Sequence, residues 1–132
     1  MIEVFYVRPI KSFSRKIIMQ GADSSKAFER LKRKIEGEVL WLYVSSILME
    51  EGGLSVVELK RRLRERFSIV TRSVYLYTVL YRMEREGLVK KGTGTRGETV
   101  YFLEKKGKEV YLKGLDYLKN KIDLLRGSSS ST

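Results

Sequence analysis

The chain has 132 residues with 27 Lys/Arg against 16 Asp/Glu, a formal net charge of +11, and neither cysteine nor histidine. That size fits one domain, or one domain with a dimerisation arm. The missing residues exclude disulfides, thiolate metal sites and the usual neutral-pH general base, so no enzyme, metal or cofactor is expected. A pI near 9.9 points to a polyanionic partner, nucleic acid before membrane. No apolar run is long enough to span a bilayer. The start, Met1-Ile2-Glu3-Val4, lacks the basic segment and long apolar stretch of a secretory signal, so a cytoplasmic protein is expected.

Residues 1–25 read as an N-terminal extension. Ile2 to Val7 is β-prone and is stopped by Pro9, and Ile17-Ile18-Met19 forms a second apolar patch, so a small hairpin can be drawn there. Asp23, Ser24 and Ser25 are each able to cap the helix that follows. From Lys26, the residues Phe28, Leu31, Ile35, Val39 and Leu42 fall on one helical stripe, with Gly37 either a break or an interior position. Val39 to Met49 is apolar nearly all round, which predicts deep burial, and Gly52-Gly53 ends the element.

Ser55 and Glu58 form a capping-box pattern opening a helix. Val57, Leu59, Leu63 and Phe67 are its expected apolar contacts, and Lys60, Arg61, Arg62 and Arg64 its charges. Ser68-Ile69-Val70 is a turn, and Thr71 is the expected cap of a helix over 72–86. Leu76, Val79, Leu80 and Met83 share one face of that helix. Tyr77 sits beside this stripe, which predicts half-burial. Gly87 closes the helix. Two strands follow, 88–91 and 99–103, joined by the loop Gly92-Thr93-Gly94-Thr95-Arg96-Gly97. A helix over about 105–125 carries a short heptad seam of Tyr111, Leu115, Leu118, Ile122 and Leu125. Residues 127–132 read as a disordered Gly/Ser tail.

The charge is not spread evenly. Between Glu58 and Arg96 there are eleven Lys/Arg against four Asp/Glu, a net of +7, whereas residues 1–57 hold nine against seven. Two helices, a turn and a basic glycine-tipped hairpin make the layout of a winged helix-turn-helix, mainly α with a small β-hairpin. In that layout the second helix enters the major groove, and its exposed N-terminal residues reach bases or phosphates. The exposed residues at its start are Thr71, Arg72, Ser73, Val74, Tyr75 and Thr78, and the candidate DNA contacts on it are Thr71, Arg72, Ser73, Tyr75, Tyr77, Thr78 and Arg82. Arg72 is able to hold guanine bidentately or a phosphate, and one of the tyrosines is expected on the sugar–phosphate backbone. Lys60, Arg61 and Arg64 are candidates on the preceding helix. Lys90, Lys91, Thr93, Thr95 and Arg96 are candidates on the hairpin, where glycines permit close approach. A nucleotide-binding phosphate loop is not expected, because a strand and not a helix follows the glycines.

Residues 40–125 resemble the PadR-type winged-helix transcriptional regulators. The resemblance rests on the run from Tyr75-Leu76-Tyr77 to Glu86-Gly87-Leu88-Val89 and on Tyr101-Phe102-Leu103-Glu104-Lys105-Lys106-Gly107. Tyr75 and Thr78 stand where that family usually has Thr and Pro, and Leu54-Ser55 where it often has a His-Gly-Tyr segment. The first 25 residues have no counterpart. The resemblance implies a homodimer held by the C-terminal helix, over 104–126, with help from an N-terminal helix. It also implies a double-stranded, pseudo-palindromic operator and, in some members, a small-molecule effector at the dimer interface. The resulting expectation is a sequence-specific DNA-binding regulator, a repressor. A winged-helix protein-interaction module and a nonspecific chromatin-type or RNA-binding protein are the rivals.

Overall fold

The computed structural model describes residues 25–127, so the extension up to Ser24, with its strand and hairpin expectations, lies outside the described residues, as does the tail after Gly127. The described residues fall into two units, divided between Glu38 and Val39. The described part of the first is α1 (Lys26–Arg33) and a wide π-helical turn (Lys34–Glu38). Ser25 caps α1 by accepting the Phe28 amide at 3.2 Å. Gly37 does mark a break. The chain widens into the π turn around it, and Val39 leaves helical geometry at φ −109°, ψ 30°. The expected stripe from Phe28 to Leu42 is therefore cut in two, and Leu31 stays 53% exposed.

The second unit contains α2 (Leu40–Glu51), α3 (Val56–Phe67), α4 (Ser73–Arg85), β1 (Val89–Thr93), β2 (Thr99–Leu103) and α5 (Lys105–Arg126). α2 is the buried centre, with Leu40, Leu42, Val44, Ile47 and Leu48 all in the core. It stops at Gly52, whose φ of 85° suits glycine and few other residues. α3 opens with both halves of the capping box. Ser55 Oγ accepts the Glu58 amide at 3.3 Å, and Glu58 Oε1 accepts the Ser55 amide at 2.9 Å. The inward face of α3 is Val56, Leu59 and Leu63, while Val57 is 70% exposed. The expectation for Val57 was wrong because residues two apart on a helix lie about 200° apart, on opposite sides of the axis.

Ser68 ends α3 in the left-handed region at φ 58°, and the Ile69 amide reaches back to the Leu63 carbonyl at 3.1 Å. This closure turns Ile69 into the core and leads into α4, whose Leu76, Val79, Leu80 and Met83 are all buried as the spacing predicts. Thr71 is not the cap. Arg72 is still extended at φ −81°, ψ 147°, so the helix begins one residue later than expected and Arg72 occupies the cap position without a side-chain bond.

β1 and β2 pair antiparallel with Val89 opposite Leu103 and Thr93 opposite Thr99. Gly92 and Thr93 thus belong to the strand and not to the loop, and the hairpin tip is shorter than the glycine run suggests. Leu54 adds a bridge to the other edge of β2, exchanging two backbone bonds with Tyr101 at 2.9 and 3.2 Å. The architecture is a helix-turn-helix followed by a hairpin, with α5 returning along α2.

Ser45, on the buried side of α2, has a hydroxyl with no hydrogen-bond partner among the described residues. Such a hydroxyl costs about 1–3 kcal/mol of desolvation, and alanine removes it with little change in shape. Ser45→Ala is expected to raise stability by about 1 kcal/mol, read as a higher urea midpoint at unchanged slope.

Candidate nucleic-acid interface

The candidate interface consists of three basic segments. α3 carries Lys60, Arg61 and Arg64 on its solvent side, where the capping box and the Val56/Leu59/Leu63 stripe fix its rotation. The first turn of α4 carries Arg72 and Ser73, with Tyr77, Thr78 and Arg82 further along the same helix. The hairpin carries Lys90, Lys91, Thr93, Thr95 and Arg96. Lys60 donates to Ser73 Oγ at 3.1 Å, which joins the first two segments. Lys91 lies 3.7 Å from Glu84, which ties the hairpin to the later turns of α4. Tyr101, buried beneath the wing, has its phenol pushed up, first by burial and then by nearby Tyr77 and Glu84.

Not every cation of the basic stretch is free to meet a phosphate. Arg62 Nε is held between both oxygens of Glu51 at 2.8 Å, and Arg66 pairs with Glu50 at 3.2 Å. The Arg62 hydrogen bond holds the Glu51 carboxyl below its ordinary range, and the same bond raises Arg62. Glu58 is lowered chiefly by the Ser55 backbone amide, as its capping role requires. Arg85 donates to Tyr81 Oη at 3.1 Å, so Tyr81 presents its hydroxyl as part of a pair. Within the basic stretch, the cations left without a carboxylate partner among the described residues are Lys60, Arg61, Arg64, Arg72, Arg82, Arg85, Lys90 and Arg96. All but Arg85, which is held on Tyr81, are sequence-derived candidates.

The tyrosines separate. Tyr75 is half-buried and packs against the core, whereas Tyr77 is 55% exposed, more open than its position beside the stripe suggests. Thr78 Oγ1 donates to the Val74 carbonyl at 3.1 Å. The hairpin tip is organised by Glu98, whose carboxylate accepts the Arg96 amide at 2.9 Å while its carbonyl accepts the Gly94 amide at 2.7 Å. This turn holds the Arg96 backbone in place and leaves its side chain exposed. Two exposed valines, Val70 and Val74, flank Arg72; Val74 is on the exposed start of the helix, as its place in the sequence suggests, and Val70 belongs to the preceding turn.

On α5, Gly114 faces Leu42 and Trp41, so Trp41 is part of the α2–α5 packing. Of the heptad residues, Tyr111 and Leu118 are half-buried, while Leu115, Ile122 and Leu125 are exposed. Among the described residues there is no cluster able to hold a metal ion, and no helix is long and apolar enough to cross a membrane.

No protein-family model matches the chain, and no curated protein matches it. Solved structures do. A transcriptional regulator from Clostridium thermocellum superposes with a TM-score of 0.61 at 22% identity, covering 70% of this chain and 90% of its own. A PadR-like transcription factor from Bacteroides fragilis gives 0.58 at 17% identity, covering 74% and 96%. F93 from STIV, a winged-helix DNA-binding protein, gives 0.54 at 18% identity, covering 61% and 86%. The chain therefore has the winged-helix fold, in the arrangement also found in PadR-like regulators.

Proposed function

We propose that the protein is a sequence-specific, double-stranded-DNA-binding transcriptional regulator that acts as a homodimer on a pseudo-palindromic operator. The carrying observation is the Lys60–Ser73 bond. It brings the unpaired cations of α3 to the start of the helix whose position in a winged helix is the major groove. The wing cations, Lys90 and Arg96, suit flanking phosphate or minor-groove contacts. Repression follows from occupancy: a protein seated over a promoter excludes polymerase. Dimerisation is supported by the α5 seam. Leu115, Ile122 and Leu125 are exposed in one chain, and an apolar face of that kind gains stability by meeting a second copy.

The test is selection of genomic fragments by the purified protein at about 150 mM salt, where nonspecific phosphate binding is already weak. One enriched inverted repeat is the expected result. Uniform recovery of fragments would replace the regulator with an architectural DNA-binding protein, and no recovery would move the winged helix to protein partners.

A further inference from the structure

Val70 and Val74 are 78% and 76% exposed, beside Arg72 at the start of α4. Aliphatic β-branched residues this open, set within a strongly basic surface, contribute nothing to the core and disfavour solubility. One turn beyond Val74, half-buried Thr78 donates its hydroxyl proton to the Val74 carbonyl at 3.1 Å, so that proton is withdrawn from an outside partner and the side chain's other group is a methyl. Ser73, another hydroxyl at the start of this helix, accepts from Lys60. Between Val56 and Leu103 there is no Asn or Gln, the side chains that bond adenine bidentately. The exposed start of the helix therefore offers arginine, methyl groups and the hydroxyls of Thr71, Ser73 and Tyr77, but no side chain that bonds the adenine edge bidentately.

In the major groove the matching features are guanine, for arginine, and the thymine methyl, for an aliphatic contact. We propose that Val74 and Thr78 form a methyl-reading surface, assisted by Val70, through which the protein recognises A·T pairs by the thymine 5-methyl and not by the adenine edge. This rests on the DNA-binding reading above and deepens it, since it names the chemical group that sets specificity. The two arginines nearest this surface, Arg72 and Arg82, are left to guanine or phosphate.

The measurement uses the duplex enriched by selection, titrated with the full chain by fluorescence anisotropy. Each thymine in turn is replaced by deoxyuridine, which removes one methyl and leaves base pairing intact. At one or two positions per half-site, affinity should fall about fourfold, the effect of one buried methyl group. Val74→Ala and Thr78→Ser should each bring the thymine-to-deoxyuridine ratio at one of those positions close to one. They should do so without changing the salt dependence, because neither carries charge. A fully deoxyuridine-substituted duplex bound as tightly as the thymine duplex would overturn the proposal while leaving sequence-specific binding in place. Deoxyuridine losses that persist undiminished in both variants would overturn it too, placing methyl recognition elsewhere or in the shape of the duplex. Failure to bind any duplex would remove both this proposal and the reading beneath it.

Discussion

Raising salt from about 50 to about 200 mM should weaken binding to a selected duplex by about 10³- to 10⁵-fold. The expectation comes from counting charges by their partners, not from the net charge of the chain. Seven cations of the candidate face hold no carboxylate: Lys60, Arg61, Arg64, Arg72, Arg82, Lys90 and Arg96. If about three to five of them meet phosphates in each half of a dimer, log K against log salt has a slope of about −5 to −9, whereas one chain bound alone would give about half that. The slope thus reports stoichiometry as well as binding. Single variants sharpen it. Arg64→Ala, which removes one contact from each half of the dimer, should reduce the slope by about 2. Arg62→Ala should change it far less, because Arg62 is already neutralised by Glu51 at 2.8 Å. Equal effects from the two would show that contact follows charge density alone and that the pairing pattern is irrelevant. A slope near zero would sink the DNA-binding reading.

That contrast between Arg62 and Arg64 marks where sequence reasoning reached its limit. Helical stripes, the capping box and both strands were legible because their signals are local: a 3.6-residue period, a Ser-x-x-Glu spacing, a run of β-prone residues closed by turns. The ion pairs from Arg62 to Glu51 and from Arg66 to Glu50 join two helices, and nothing in the spacing of either announces them. The Leu54–Tyr101 bridge was hidden for the same reason, since a two-residue pairing leaves no alternation to detect. Thr71 and Val57 failed differently. Thr71 missed because α4 starts one residue later than its spacing suggests, with Arg72 at the cap. Val57 missed although α3 starts where expected, because it lies about 200° from Leu59 on the same helix. Among the candidate contacts, charge identified the cations. Val74 was legible as an exposed position at the start of the helix, but a role for it was not, because an apolar side chain has neither charge nor a hydrogen-bonding group to mark it. Val70 read only as part of the turn.

Gly107→Ala should lower stability by about 2 kcal/mol, a fall of about 10 °C in the melting midpoint for a domain this size. By helix propensity alone the sign would be opposite, since alanine in place of glycine within a helix is worth about 1 kcal/mol. Packing reverses it. Gly107 is buried in the first turn of α5, and a Cβ there would run into the carbonyl oxygen of Leu88 and come within 2.7 Å of Leu103 Cδ1. The Leu88 carbonyl cannot simply swing away, because it accepts the Glu104 amide at 2.8 Å and its residue leads directly into β1. Relief requires α5 to lift from the start of the wing. That movement stretches the Glu104 bond, worth about 1 kcal/mol, and strains the Lys106 bond to the Glu86 carbonyl. Gly114→Ala is the matched comparison in the same helix. Its Cβ would meet only the Leu42 Cδ2 and Trp41 ring atoms, at 3.1 and 3.2 Å, and these are side chains that can shift by a few tenths of an ångström. There the propensity gain and the crowding nearly cancel, and the midpoint should move by only a few degrees. Thermal unfolding of the two variants side by side decides the matter. If both alanines were tolerated equally, α5 would not be seated on the Leu88 carbonyl. The rigid link from the wing to the helix proposed to join two copies would then be lost.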